Sequence, residues 1–126
     1  MFFSKYLIAL AAIATATASP TKRDDTTTCS FILHPNVPVD SATVNLFAEF
    51  NYAIGRTLGL AVPSHQIYGG KGATWVDNGD NTFDVQDTIA AVGETSASTA
   101  TIINGWTGTS LLGLTANWLV ESVSCI

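Results

Sequence analysis

The chain has 126 residues with a hydrophobic share of 47%, enough for a core but too short to favour more than one domain. Its net charge is −5, and beyond position 23 only Arg56 and Lys71 are basic, against all ten acidic residues. That part of the chain therefore carries a net charge of −8 and repels phosphate groups. We expect neither a nucleic acid nor a membrane as its partner.

The first 18 residues have the layout of a secretory signal peptide. Lys5 supplies a positive charge, YLIALAAIA is a short apolar run, and ATA ends at Ala18 with the small residues that a signal peptidase accepts. The apolar run is shorter than the roughly 20 residues that a membrane-spanning helix needs. The sequence therefore predicts cleavage after Ala18 and a secreted, extracellular product.

A dibasic pair, Lys22 and Arg23, follows in a threonine-rich segment with few apolar residues. It resembles the Lys-Arg sites that fungal processing proteases cleave, and polar, flexible termini are good protease substrates. We predict a short propeptide over residues 19–23 and a single α+β domain over residues 24–126. The alternative is an accidental pair that is not cut.

Two cysteines, Cys29 and Cys125, stand near the two ends of the predicted mature chain. In an oxidising compartment they allow one intramolecular disulfide, which we expect to form. A free pair or an intermolecular bridge remains the alternative.

The first predicted elements are a strand and a helix. CSFILHP is short, apolar and rich in β-formers, and it predicts a strand from Cys29 to Pro35. The next segment predicts a helix with Asp40 or Ser41 as N-cap and Gly59 as C-cap. Its apolar residues recur at steps of three or four, at Val44, Phe47, Phe50, Ile54 and Leu58.

The remaining chain predicts a hairpin, a second helix and a final strand. Asn78-Gly79 is a hairpin signal between two strands, and the glycines at 69, 70 and 72 indicate a bulge or bend in the first of them. Ser96 is the predicted N-cap of a short helix. TANWLVESVSCI then predicts a strand that ends at Cys125.

This order, β-α-β-β-α-β, predicts a ferredoxin-like α+β fold, with a four-stranded antiparallel sheet and both helices on one face. In that topology the first and last strands are antiparallel neighbours, so Cys29 would meet Cys125. The many threonines and glycines keep an all-β sandwich as the alternative.

No motif for catalysis, a cofactor or a metal emerges from the residues. Four aspartates lie close together in DNGDNTFDVQD, but their spacing does not match a calcium-binding EF-hand loop. His34 and His65 stand near prolines at the ends of predicted strands, where a surface histidine needs no chemical role. We therefore expect a protein that is not an enzyme and that uses no cofactor.

The sheet face opposite the helices is the candidate binding surface. In the predicted fold it would carry Ile32, His34 and Tyr68, and an uncovered face with apolar residues commonly marks a partner site. We expect this face to bind an unknown protein partner or receptor, or a second copy of the chain in a homodimer.

The signal peptide, the Lys22-Arg23 site, the compact domain and the two cysteines together resemble small secreted proteins of filamentous fungi, of a basidiomycete kind. The resemblance implies an effector-like role, directed at a host, a competitor or the fungus's own development, metabolism or secreted-enzyme programme. The layout also resembles fungal killer toxins that are activated at a Lys-Arg site. A further alternative is a dimeric α+β-barrel that binds a small ligand or acts as an enzyme, using His34, His65 or Tyr68.

Overall fold

The computed structural model describes residues 25–126, which form six antiparallel strands and two α-helices. The predicted signal peptide and the processing residues Ala18, Lys22 and Arg23 lie outside the described residues. The elements in chain order are β1 (Thr27–Pro35), α1 (Leu46–Ala61), β2 (Ile67–Tyr68), β3 (Thr74–Asp77), β4 (Phe83–Ala91), α2 (Ser96–Asn104), β5 (Ser110–Leu112) and β6 (Asn117–Cys125).

Strand β1 lies at the centre of the sheet, with β4 on one side and β6 on the other. The far edge of β4 pairs with two short strands, β3 along its first half and β2 at its end. On the opposite side, β5 pairs with β6. All of these pairings are antiparallel, and the sheet curls into a half-barrel.

The antiparallel pairing of β1 with β6 brings the two cysteines together. Cys29 lies directly opposite Cys125, with 4.0 Å between their Cα atoms, and the two form a disulfide across 96 positions of sequence. The predicted disulfide is therefore confirmed, and it ties the start of the first strand to the end of the last.

The ferredoxin-like prediction is wrong, because the sheet has six strands and is curled rather than four-stranded with both helices on one face. The strand predicted before the hairpin is divided into β2 and β3 by the glycine-rich segment 69–72. Strand β5 has three residues, too few for a recognisable alternation. A register shift between Ile32 and Leu33 also interrupts the pairing of β1 with β6, and such irregularities bend a strand.

The all-β sandwich alternative does not fit either. Residues 25–126 contain one sheet and two helices, and the core lies between the helices and the inner side of that sheet. Its centre is an aromatic cluster in which Phe50 of α1 lies 5.8 Å from Phe83 of β4 and 4.8 Å from Trp118 of β6, between ring centroids. Full burial of each such side chain contributes about 1.5–3 kcal/mol.

Helix α1 begins and ends later than the sequence predicts. Its N-cap is Asn45, whose side chain accepts a hydrogen bond from the Ala48 N–H, rather than Asp40 or Ser41. Asp40 instead closes a separate turn by accepting from the Ala42 N–H. Asparagine and aspartate are both good caps, so local sequence does not decide between them.

The predicted C-cap at Gly59 is also wrong, since the helix continues to Ala61 and is capped by Val62 in an extended conformation. Pro63 causes this ending, because a proline excludes helical geometry at the residue before it. Gly55 has a packing role: a Cβ there would lie 2.9 Å from Cδ1 of Ile67 in β2. The small residue lets β2 approach the helix.

The β3–β4 hairpin is confirmed. The Asn78 N–H donates to the Thr82 carbonyl at 3.0 Å, and Gly79 has the positive φ of 82° that the Asn-Gly signal predicts. Helix α2 has Thr95 rather than Ser96 as its N-cap, because the Thr95 side chain accepts from the Ser98 N–H.

Candidate functional site

The candidate site lies on the outer face of the sheet, formed by the side chains that alternate with the buried ones. On β1 and β4 these residues are Thr28, Ser30, Ile32 and His34 of β1 and Asp84, Gln86 and Thr88 of β4. All of them are exposed or half-buried. The outer face therefore combines hydroxyl, amide and apolar groups with few charges.

The strand register sorts these groups into two ends. Thr28 lies opposite Thr88, with 2.8 Å between their hydroxyl oxygens, and Ser30 lies opposite Gln86. Further along, Ile32 lies opposite Asp84. One end of the face is thus rich in hydroxyl and amide groups, whereas the other end carries the apolar side chains.

The hydroxyl-rich end contains an open groove of about 700 Å³, which we call the threonine groove. A volume of this size is typical of small-molecule sites. The groove has an exposed aromatic ring, a single cation and no carboxylate in its lining. The side chains that define it are Thr28, Tyr68, Lys71, Thr74, Gln86 and Thr88.

A second depression of about 360 Å³ continues the threonine groove along β3 and β4. The two share Thr74 and Gln86 in their linings, and the second one reaches Val76 and Asp84. The groove therefore follows the sheet surface toward its apolar end instead of closing at Gln86.

One wall of the threonine groove is a glycine turn between β2 and β3. The Gly72 N–H donates to the Gly69 carbonyl at 3.0 Å, and Gly70 and Gly72 have positive φ values of 57° and 89°. Glycine adopts these angles without the steric cost of a Cβ. At Gly72 a Cβ would also lie 2.8 Å from the Phe47 ring.

Helix α1 holds this wall in place. The Asn51 side chain accepts from the Ala73 N–H at 3.1 Å and donates to the Phe47 carbonyl at 2.6 Å. The turn that presents Lys71 is therefore fixed to the body of the protein through Asn51.

The apolar end of the outer face consists of Ile32, Val76 and Leu119. Val76 and Ile32 both lie opposite Asp84, on its two sides, and Leu119 lies opposite His34. All three apolar side chains are exposed. His34 Nδ1 lies 3.0 Å from Oε2 of Glu121 on β6.

The structure places the three predicted face residues outside the core but at separate positions. Ile32 belongs to the apolar end and His34 lies beside it, opposite Leu119, whereas Tyr68 lies opposite Ala90 on the edge strand β2 and lines the threonine groove. His65 is in neither place, because its Nδ1 lies 2.9 Å from the Gly59 carbonyl at the end of α1.

Two carboxylates, Glu49 and Asp87, are buried in the structure, and neither was predicted from the sequence to be a buried residue. Glu49 lies on the buried side of α1 and accepts hydrogen bonds from the Thr115 and Ala116 N–H groups, the Thr115 hydroxyl and Trp118 Nε1, at 2.9–3.2 Å. Glu49 shares one face of α1 with the buried Leu46 and Ala53, and this helical spacing is the sequence feature that could have indicated its burial.

These contacts fix the β5–β6 connection to α1. Burial works against ionisation of Glu49, but the hydrogen bonds from Trp118, Thr115 and Ala116 outweigh it and lower its pKa. Gly113 is required beside them, because a Cβ there would overlap Glu49 Oε2 and lie 2.5 Å from the Ala116 carbonyl oxygen. Glu49 therefore has a structural role.

We predict that Glu49→Gln lowers the free energy of unfolding by about 2–3 kcal/mol at pH 7, because one amide oxygen cannot satisfy the donors that two carboxylate oxygens accept. Urea unfolding followed by tryptophan fluorescence measures this. The control is Glu94→Gln, since the Glu94 side chain accepts a single, part-buried hydrogen bond from the Ser98 hydroxyl, which one amide oxygen can still accept. Equal stability of both variants would contradict the assigned role of Glu49.

The aspartates of the β3–β4 region do not act together. Asp77 and Asp80 accept from backbone N–H groups inside the hairpin, and Asp84 accepts from Asn78. Asp87 points into the core, where burial raises its pKa to about 7 against an opposing backbone hydrogen bond from Thr88. Its Oδ1 has no hydrogen-bond partner among the described residues.

Residues 25–126 contain no group of three or more histidine, cysteine, aspartate or glutamate residues placed to hold a metal ion. Within the same residues, neither helix is long and apolar enough to cross a membrane. Comparisons of the chain with protein-family models, curated proteins and solved structures find no match.

Proposed function

We propose that this chain is a small secreted protein that acts without catalysis, as an effector or regulator, by binding through the outer face of its sheet. Its target belongs to a host, a competitor or the producing fungus itself, where it modulates development, metabolism or the secreted-enzyme programme. The observation that carries the proposal is the exposed apolar end of the outer face.

The apolar end supports binding because three apolar side chains are exposed in one region of the outer face, with Asp84 between Ile32 and Val76. Ile32 and Leu119 are 37% and 38% exposed and lie on the neighbouring strands β1 and β6. Val76 adds a third apolar side chain across β4. Exposed apolar groups with polar neighbours mark interaction sites, and the His34–Glu121 contact supplies such polar neighbours beside Leu119.

Two features support secretion. The disulfide between Cys29 and Cys125 is compatible with an oxidising, extracellular environment. The first 18 residues have the composition of a signal peptide, with Lys5 before the apolar run and Ala18 at the end of the small-residue motif.

We predict that a double variant, Ile32→Lys with Leu119→Lys, fails to restore the wild-type secreted-protein profile and growth of a deletion strain. In the complex with a partner, the two lysines would replace apolar contacts that are buried at the interface. Their charges would have to be desolvated when the partner binds. Mass spectrometry of the culture medium gives both the profile and the amount of the variant that is exported.

The matched control is Leu60→Lys, since Leu60 is 61% exposed but lies on α1. We expect the wild-type gene and the control to restore the profile fully. Restoration by the double variant at equal extracellular amount, or a deletion strain with an unchanged profile, would refute the proposed function.

Light scattering of the same purified proteins distinguishes the two kinds of partner. If the face binds a second copy, the wild type and Leu60→Lys are dimers and the double variant is a monomer. If the partner is another protein, all three are monomers and only the complementation separates them.

A further inference from the structure

We propose that the threonine groove binds a neutral oligosaccharide. This inference rests on the proposed function, because it names a ligand class for a defined part of the same outer face. It is carried by the shape of the groove and by an aromatic ring, hydroxyl groups and an amide that face it together.

Tyr68 supplies the aromatic platform. Its side chain is 48% exposed at the edge of the groove, so its ring is available to a ligand. The C–H groups on one face of a sugar ring form an apolar surface that packs against an aromatic ring. A tyrosine also offers a hydroxyl that hydrogen-bonds at the rim.

The polar groups of the groove are available to a ligand. The side chains of Thr74, Gln86 and Lys71 are exposed to solvent where they line the groove. A hydroxyl and an amide each donate and accept, which matches the paired donors and acceptors of sugar hydroxyls. The Thr28 and Thr88 hydroxyls are already joined and form a fixed floor between them.

The charge of the groove favours a neutral sugar. Lys71 is the one charged residue that lines it, and its ammonium can donate to sugar oxygens as well as to anions. The chain beyond position 23 carries a net charge of −8, so an acidic polysaccharide would be repelled by the protein as a whole.

The groove is also prepared for an extended ligand. Asn51 holds the glycine turn against α1, so little ordering is needed when a ligand binds. With the continuation toward Asp84, the groove follows β4 from Thr88 to Asp84, a span of four residue steps or about 13 Å. This length accommodates several linked sugar rings in place of a single monosaccharide.

The test measures retention of the purified secreted protein on insoluble cellulose, chitin and β-1,3-glucan, followed by calorimetry with the soluble hexasaccharide of each retained polymer. We expect retention on at least one polymer, and a Kd that rises by at least about tenfold in Tyr68→Ala. Gln86→Ala is the second variant, and we expect it to weaken binding in the same assay.

The control is Tyr52→Ala, since Tyr52 is 39% exposed on α1, outside the groove. We expect this variant to bind like the wild type. No retention on any of the three polymers, or equal binding by Tyr68→Ala and Tyr52→Ala, would overturn the inference.

The outcome also separates this inference from the proposed function. Complementation of the deletion strain depends on Ile32 and Leu119 in the proposed function, whereas polysaccharide retention depends on Tyr68 and Gln86. If the protein is not retained on any polymer but complementation still requires Ile32 and Leu119, only the sugar ligand is refuted. If the protein is retained but complementation does not require Ile32 and Leu119, the effector role is refuted and the sugar site stands.

Discussion

Replacing both cysteines, as Cys29→Ala with Cys125→Ala, is expected to lower the free energy of unfolding by about 4 to 5 kcal/mol. The disulfide closes a loop of 96 positions, and the entropy that such a bridge removes from the unfolded chain grows with loop length. Small domains have a total stability of about 5–15 kcal/mol, so the loss is a large fraction of it.

The folded state should keep its strand pairing in this variant. Residues 29–35 of β1 have seven register partners in β6, and the core on the inner side of the sheet does not depend on the sulfur atoms alone. We therefore expect a cooperative transition that is shifted to lower denaturant concentration, with a larger m-value because the unfolded chain without the cross-link exposes more surface.

Guanidinium unfolding of the wild type and the double alanine variant, with and without dithiothreitol, measures the effect. Dithiothreitol should lower the midpoint of the wild type toward that of the variant and leave the variant itself unchanged. Identical midpoints for the oxidised wild type and the variant would show that the bridge does not stabilise the fold. The alanine residues preserve the apolar character of the buried Cys29 position.

The pairing of the first and last strands could be predicted because two independent features of the sequence agreed. The strand order suggested that the chain ends meet, and the cysteines stood at those ends. The Asn78-Gly79 turn was predictable for a different reason: the turn type requires positive φ, and few residues supply it.

The architecture as a whole was not predictable, because its decisive elements are short. Strand β5 has three residues and β2 has two, so neither shows a hydrophobic period. Both strands form because they pair with longer strands in the folded structure: β5 pairs with β6, and β2 pairs with the end of β4. Their presence turns the predicted four-stranded sheet into a curled six-stranded one.

The candidate site was partly foreseen. Ile32 and Tyr68 were expected on an uncovered face, and the structure places both on the outer side, although at different ends. The threonine groove could not be predicted because its residues come from four strands and a turn. The glycines at 70 and 72 predict a bend, but nothing in the sequence indicates that this bend forms a wall of the groove beside Thr88.

The second large effect concerns Asp87. We predict that the free energy of unfolding decreases by about 3 kcal/mol as the pH rises from about 4 to about 7. Burial raises the pKa of Asp87 from 3.8 to about 7 in the folded state. Between these values the folded protein binds a proton that the unfolded chain has released, so raising the pH favours unfolding.

Asp87→Asn should remove this slope, because an amide stays neutral at every pH and occupies nearly the same volume. At pH 8 the variant should be more stable than the wild type by up to about 4 kcal/mol, and at pH 4 the two should agree closely. Urea unfolding at pH 4, 5, 6, 7 and 8 gives both curves.

Two comparisons assign the slope to Asp87. Asp84→Asn changes an exposed carboxylate three positions away on β4, and its curve should follow the wild type. Glu49 acts in the opposite direction, because its lowered pKa contributes stability above pH 4.5 that is lost only as the pH falls further. A wild-type curve that is flat from pH 4 to 8, or an Asp87→Asn curve that keeps the slope, would show that Asp87 ionises freely in the folded state.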